Sequence, residues 1–173
     1  MGELLSYEGY DHDELIDGVA YNMSPSANPK HQSVAMNISL ILGNYLKGKK
    51  CQAMCDIDVV MDDDNHFRPD IVVICDDQYI KENYIDGPPT IIIEILSRST
   101  MQIDLGRKKD KYAEFGVEYY LVVNPFDKSV TVFRNGAEGY EGIAHEYLES
   151  GVITLDGFEG LELKLEDIFY RVK

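Results

Sequence analysis

Two stretches decide how this chain is read: RPDIVVIC at residues 68–75 and PPTIIIEILS at residues 88–97. Each looks like a buried strand carrying one carboxylate, Asp70 in the first and Glu94 in the second. An unpaired charge taken out of water costs several kcal/mol or is neutralised, so both acids need compensation. Neither run alternates polar with apolar residues, which predicts central strands covered on both faces.

The stretch after Glu94 offers a cation. TMQIDLGRKKDKYAEFG, residues 100–116, reads as a helix ending at Gly116, and VEYYLVVNP as the next strand. A strand, helix, strand crossover implies that the two strands are parallel neighbours. At about 100° per residue, Leu105, Lys108, Tyr112 and Phe115 share one stripe of that helix. Lys108 therefore points inward, over the strands of Asp70 and Glu94. Arg107, Lys109 and Lys111 lie off the stripe and can stay in solvent, where the run RKKDK at 107–111 is a candidate basic surface.

Upstream, DELIDGVAYNM reads as a hairpin turning at Asp17-Gly18. A helix follows, capped by Asn28 with Pro29 in its first turn and Val34, Ile38, Ile41, Leu42 and Tyr45 at three-to-four spacing. His31 shares that apolar face, where a lone histidine is more often a satisfied core residue than a functional one. CQAMCDIDVVMD reads as one strand and DDDN, residues 62–65, as a turn rather than a cation site. Downstream of residue 128, KSVTVFRNG, AHEYLES, GVITL and LELKL read as an antiparallel extension, and EDIFYRV as a short helix. The fold expected is mixed α/β: a mixed central sheet flanked by helices, with extra antiparallel strands, in a single domain over 1–173.

Composition sets limits. With 45% hydrophobic residues in 173, a core can form, and no stretch approaches the roughly 20 apolar residues that span a bilayer. No signal-peptide pattern opens the chain, so a soluble, cytoplasmic protein is expected. Cys51, Cys55 and Cys75 are odd in number and lack a zinc-like partner set, which predicts free thiols in a reducing compartment. The net charge of −15 argues against non-specific nucleic-acid binding, which depends on Lys and Arg, but a local basic stripe can act within the screening length.

ELIDG, SPSANPKHQ, RPDIVVI, EILSRST, DLGRKKDKYAEFGVEYYLVVNP and LELKLEDIF, in that order from about residue 14 to 170, resemble successive motifs of the bacterial Uma-type restriction endonuclease family. That family sits within the PD-(D/E)XK nuclease superfamily. By this resemblance Pro69-Asp70 supplies the "PD" and Glu94 the second acid. The usual lysine position is Leu96, and the lysine is relocated to Lys108 in a D-x-x-x-K-x-x-x-Y run from Asp104. The resemblance implies a restriction endonuclease-like core and metal-assisted hydrolysis of DNA. Asp70, Glu94 and the Ile95 carbonyl would present oxygen ligands to Mg²⁺ or Mn²⁺. Lys108 would orient water and stabilise developing charge. His31, Ser97 and Glu14 also match family positions and are candidate accessory residues; Ser97 could equally cap the strand end, and Glu14 could equally be a surface charge. Cleaving both strands of a duplex points to a homodimer, with Tyr140, Tyr147 and Phe158 as an apolar pairing surface. RNA hydrolysis, or a catalytically silent binding or assembly module, is the alternative.

Overall fold

The computed structural model describes residues 13–22, 28–98, 101–146 and 151–173. In chain order, β1 (Asp13–Ile16) and β2 (Val19–Asn22) form the expected hairpin, and α1 runs Pro29–Leu46 with the Asn28 side chain accepting from the Lys30 amide. Then come β3 (Gln52–Cys55), β4 (Val59–Asp62), β5 (Asn65–Phe67) and β6 (Ile71–Ile74). A single 3₁₀ turn and β7 (Ile85–Asp86) lead into β8 (Ile91–Ile95). The next helical stretch has three parts: α2 (Met101–Ile103), a π-helical turn over Asp104–Lys108, and α3 (Lys109–Glu114). β9 (Tyr119–Asn124), β10 (Ser129–Gly136), β11 (Gly139–Glu146), β12 (Val152–Ile153), β13 (Leu163–Lys164) and α4 (Leu165–Ile168) complete the order.

The central sheet is ordered β11-β10-β9-β8-β6-β3. Its β8–β9 pair is parallel, as the crossover requires, and its other pairings are antiparallel. β6 and β8 are interior strands, buried at every position. Side-chain alternation splits them between two cores. Ile71, Val73, Ile91, Ile93 and Ile95 face α1 and the C-terminal segment from Ile153 to Val172. Val72, Ile74, Ile92 and Leu96 face a second sheet, ordered β2-β1-β5-β4-β7, together with Tyr112 of α3. The large sheet is therefore a middle layer.

Four expectations are corrected. CQAMCDIDVVMD is not one strand: Asp56 adopts a positive φ of 51° and breaks it into β3, in the central sheet, and β4, in the second sheet. Cys51 and Cys75 are not free thiols. The antiparallel register that pairs Gln52 with Ile74 brings them opposite one another, and they form a disulfide; Cys55 is free and exposed. The cysteines thus lend no support to a reducing compartment. Leu105 is exposed rather than inward, because the π turn adds a residue and brings Asp104 under the helix instead. Finally, Tyr140 and Phe158 are not a pairing surface. Tyr140 stacks on Tyr120 and donates to the Val117 carbonyl, and Phe158 is part of the core; Tyr147 lies outside the described residues. Among the described residues no helix is long and apolar enough to cross a membrane.

Candidate active site

The site forms where the central sheet ends between its two covering layers. Asp70 immediately precedes β6, and the β6–β8 register, Ile71 opposite Ile93, sets it across from Glu94. Asp70 Oδ2 accepts the Ile95 amide at 2.6 Å, and Oδ1 lies 3.1 Å from Nε2 of His31, which reaches in from the first turn of α1. The backbone of Ile95 also hydrogen-bonds the imidazole. This pair forms the accessible rim, with side chains 18% (His31) and 24% (Asp70) exposed.

Behind it the site is sealed. Lys108, 1% exposed, places Nζ 2.8 Å from Glu94 Oε1, 2.8 Å from Glu14 Oε2 and 3.4 Å from Asp104 Oδ1. An ammonium has three N–H donors, and here three carboxylates surround it. Its side chain does not snorkel to the surface. Glu14 is a buried residue and not a surface charge: alternation along β1 turns it inward with Ile16, and its Oε1 accepts the Arg68 amide at 2.8 Å. Its hairpin is anchored at the tip, where the Gly18 amide donates to the Asp64 carbonyl and the Asp17 amide to Asn65 Oδ1. Asp62 to Asn65 is the expected turn, with Asp62 Oδ1 accepting from Asp64 and Asn65.

Sequence reasoning misses Asp104 and Tyr112 as members of the site. The Tyr112 hydroxyl donates to Glu94 Oε1 at 3.1 Å, and the widened π turn presents the Asp104 carbonyl to the Tyr120 hydroxyl at 2.9 Å. The signal is present in the four-residue spacing of Asp104, Lys108 and Tyr112, which puts three polar groups on one stripe; a periodicity of apolar residues counts Tyr112 for its ring alone. Ser97 lies half-buried just past β8, where its carbonyl accepts the Met101 amide. Leu96 is buried on the Glu94 face of β8.

The charges explain the protonation states. For Lys108, burial pulls the pKa down, but Glu94, Glu14 and Asp104 outweigh it and hold the ammonium well above its ordinary range. Burial raises the Glu94 carboxyl well above the usual carboxylate range; Lys108 opposes this, but Asp104, Asp70 and Glu14 add to it. Burial opposes protonation of His31, yet its bond to Asp70, the charges of Asp70 and Asp104 and the Ile95 backbone together raise its pKa. Burial and the same acids keep Tyr112 and Tyr120 as neutral donors.

Two carboxylates and a carbonyl on adjoining strands are the donor chemistry of a hard divalent cation, which commonly uses one or two protein carboxylates and completes its shell with water and substrate. Four acids around one ammonium and one imidazole leave negative charge in excess, so the residues fit such an ion. The cage is not closed in advance, since no group of three His, Cys, Asp or Glu side chains among the described residues converges as a metal site.

A family model described as "Uma2: Putative restriction endonuclease" matches residues 3–166. The chain belongs to the Uma2 family. An uncharacterized protein of Synechocystis sp. is 26% identical to this Uma2-family chain over 161 residues, 91% of this chain and 83% of the relative. The crystal structure of a protein from Anabaena variabilis, described as a putative nuclease belonging to DUF820, superposes with a TM-score of 0.79 at 20% identity, covering 93% of this chain and 91% of the other. That likeness establishes a shared fold for the Uma2-family chain, with the mixed sheet described above.

Proposed function

We propose that this Uma2-family protein is a divalent-metal-dependent endonuclease acting on DNA. The observation that supports this most is the convergence of Asp70, Glu94 and Lys108 at one sheet end, with acids in excess of cations. A module with no reaction to perform has no physical need for such a cluster. In this reading Asp70, Glu94 and the Ile95 carbonyl would hold Mg²⁺ or Mn²⁺. When bound, such an ion polarises a phosphate and lowers the pKa of water.

Lys108 does not act as a base, because its carboxylate shell keeps it protonated. We assign it a fixed positive charge behind Glu94 that sets the direction of that carboxylate and tempers the field of four acids. Orienting water directly would need access, and its side chain is only 1% exposed. Tyr112 holds the same Glu94 oxygen, and Glu14 and Asp104 hold Lys108. His31 sits at the rim with its pKa raised, and in its protonated form it can donate to a phosphoryl oxygen. Two such centres related by two-fold symmetry would serve the two strands of a duplex, so a homodimer is part of the proposal.

A second reading, a silent binding or assembly module, is favoured by Asp70, whose two oxygens are already engaged by His31 and the Ile95 amide. Nicking of supercoiled plasmid with Mg²⁺, with Mn²⁺ and with EDTA decides between them, with an RNA substrate run alongside. Metal-dependent nicking that Asp70→Asn abolishes is the expected result. Absence of cleavage of either nucleic acid by the folded parent would leave the silent module.

A further inference from the structure

Not one of the chain's 31 acidic residues falls between Gly18 and Cys55, a stretch that carries Lys30, Lys47, Lys49 and Lys50. With a net charge of −15, the repulsion that a polyanion would feel comes from elsewhere on the chain. α1 lies inside this stretch. Val34, Ile38, Leu42 and Leu46 turn inward, so Gln32, Met36, Leu40 and Asn44 turn to solvent, followed by exposed Lys47, Lys49 and Lys50. Beside them is an open groove of about 370 Å³ lined by Gln32, Ser33, Met36, Asn37, Tyr170 and Arg171. Amides, hydroxyls and lysines of this kind are the usual partners of a phosphate backbone.

Most of the other basic run is already engaged; Lys109 is the exception, its ammonium lying over the Phe133 ring, 5.4 Å from the centroid. Lys108 is enclosed by acids, Lys111 is held by Asp17 and Glu114, and Arg107 donates to the Tyr21 hydroxyl. Among the described residues no carboxylate pairs with Lys30, Lys47, Lys49 or Lys50, and Lys49 lies over the Tyr45 ring, 4.5 Å from its centroid. The first turn of α1 carries His31 to Asp70. From there its 18 residues run about 27 Å, the rise of roughly eight base pairs of duplex.

We infer that the solvent face of α1, continued by Lys47–Lys50, is the docking face for double-stranded DNA, holding the phosphate backbone alongside the helix while its first turn lies at the acids. This rests on the nuclease reading of the site. A second copy of the chain is a poorer occupant: antiparallel two-fold pairing along α1 would set the Lys47–Lys50 end of each helix against the Lys30 end of the other, cation facing cation, whereas DNA brings the complementary charge.

The test is fluorescence anisotropy of a labelled duplex of about 30 base pairs titrated in EDTA, so that nothing is cut, across a series of KCl concentrations. Each phosphate contact contributes roughly 0.9 to the slope of log affinity against log salt. The Lys47→Gln/Lys49→Gln/Lys50→Gln variant should lose about two to three from that slope and at least tenfold in affinity, with an unchanged melting temperature. Lys164→Gln, outside the proposed face and paired with Glu162, should bind as the parent does. A parent that fails to bind the duplex at low salt, or a triple variant with the parental slope, overturns the proposal; so does a triple variant that changes only from dimer to monomer by light scattering. An α1-dependent slope in a parent that never nicks plasmid would sink the nuclease reading and leave the docking face standing. Asp70-dependent nicking with an unchanged slope would do the reverse.

Discussion

Replacing Lys108 by Met would leave Glu14, Glu94 and Asp104 facing one another around an apolar chain of similar bulk. Breaking a buried pair in this way costs about 3–5 kcal/mol, so Lys108→Met should shift the urea midpoint strongly downward. Lys108→Met/Glu94→Gln should shift it less, because one uncompensated acid has been removed with the cation. If folded protein is recovered, nicking should fall by roughly 10²-fold or more. Leu96→Lys added to Lys108→Met should recover part of both losses, since Leu96 shares a strand face with Glu94 and an ammonium there can reach the same acids. Full activity in Lys108→Met would end the case for a relocated lysine. His31 supplies the pH dependence. Its pKa is raised in the folded state, so its contribution to stability is complete below the ordinary imidazole value of 6.5 and is lost as pH rises through the raised value. The stability gap between the parent and His31→Gln should therefore be widest below pH 6.5 and narrow above it; a gap that widens with pH would contradict the Asp70 contact. Asp70 and Glu94 were legible because a charge in an apolar run stands out, and Lys108 because helical projection puts it on an apolar stripe. Asp104 was not, because the π turn that buries it is announced by no local composition, and Tyr112 was legible as an inward ring but not as a donor to Glu94.

At the scale of elements, helix and hairpin starts were written in local chemistry. Asn28-Pro29 opens α1 and Asp17-Gly18 turns the first hairpin, each by a side chain or a φ angle those residues favour. The division of residues 51–62 between two sheets was hidden, since it depends on one left-handed residue, Asp56, of a type that only occasionally adopts that conformation. The same division gives the Cys51–Cys75 disulfide its place at one end of the β3–β6 ladder. With its cysteines 24 residues apart in sequence, the cross-link limits the unfolded chain and should contribute up to about 3 kcal/mol. Cys51→Ser/Cys75→Ser, or addition of a reductant, should lower the urea midpoint accordingly, while Cys55→Ser should leave it unchanged. Mass spectrometry of the alkylated, unreduced protein should find one reactive thiol; three would show that the bridge is not formed.

The arrangement of the whole molecule was partly legible. Uninterrupted apolar runs identified β6 and β8 as interior strands, and the crossover predicted that β8 and β9 are parallel. The second sheet was not foreseen, because its strands come from both sides of α1 and from a loop between β6 and β8, and nothing in strands of two to four residues specifies a distant partner. The two sheets together fix the acids, and their mutual repulsion is a property of the folded state alone. A divalent cation that binds there should stabilise the fold by mass action, raising the melting temperature by roughly 5–10 °C at about a hundredfold excess over its dissociation constant. Mg²⁺ or Mn²⁺ should produce this shift in the parent and not in Asp70→Asn; an equal response in both would place the ion elsewhere.

The clasp between α1 and the C-terminal segment has a consequence for biosynthesis. The Asn37 side chain donates to the carbonyls of Ile168 and Tyr170, and the face of the central sheet that α1 covers is shared with Ile153, Leu155, Phe158, Leu161, Leu165 and their neighbours. On a ribosome α1 emerges long before those partners, so its apolar side and the sheet face beneath it must wait in a partly assembled chain. The nascent polypeptide should remain protease-sensitive until residues near 170 have cleared the exit tunnel, and then gain protection over a short increment of length.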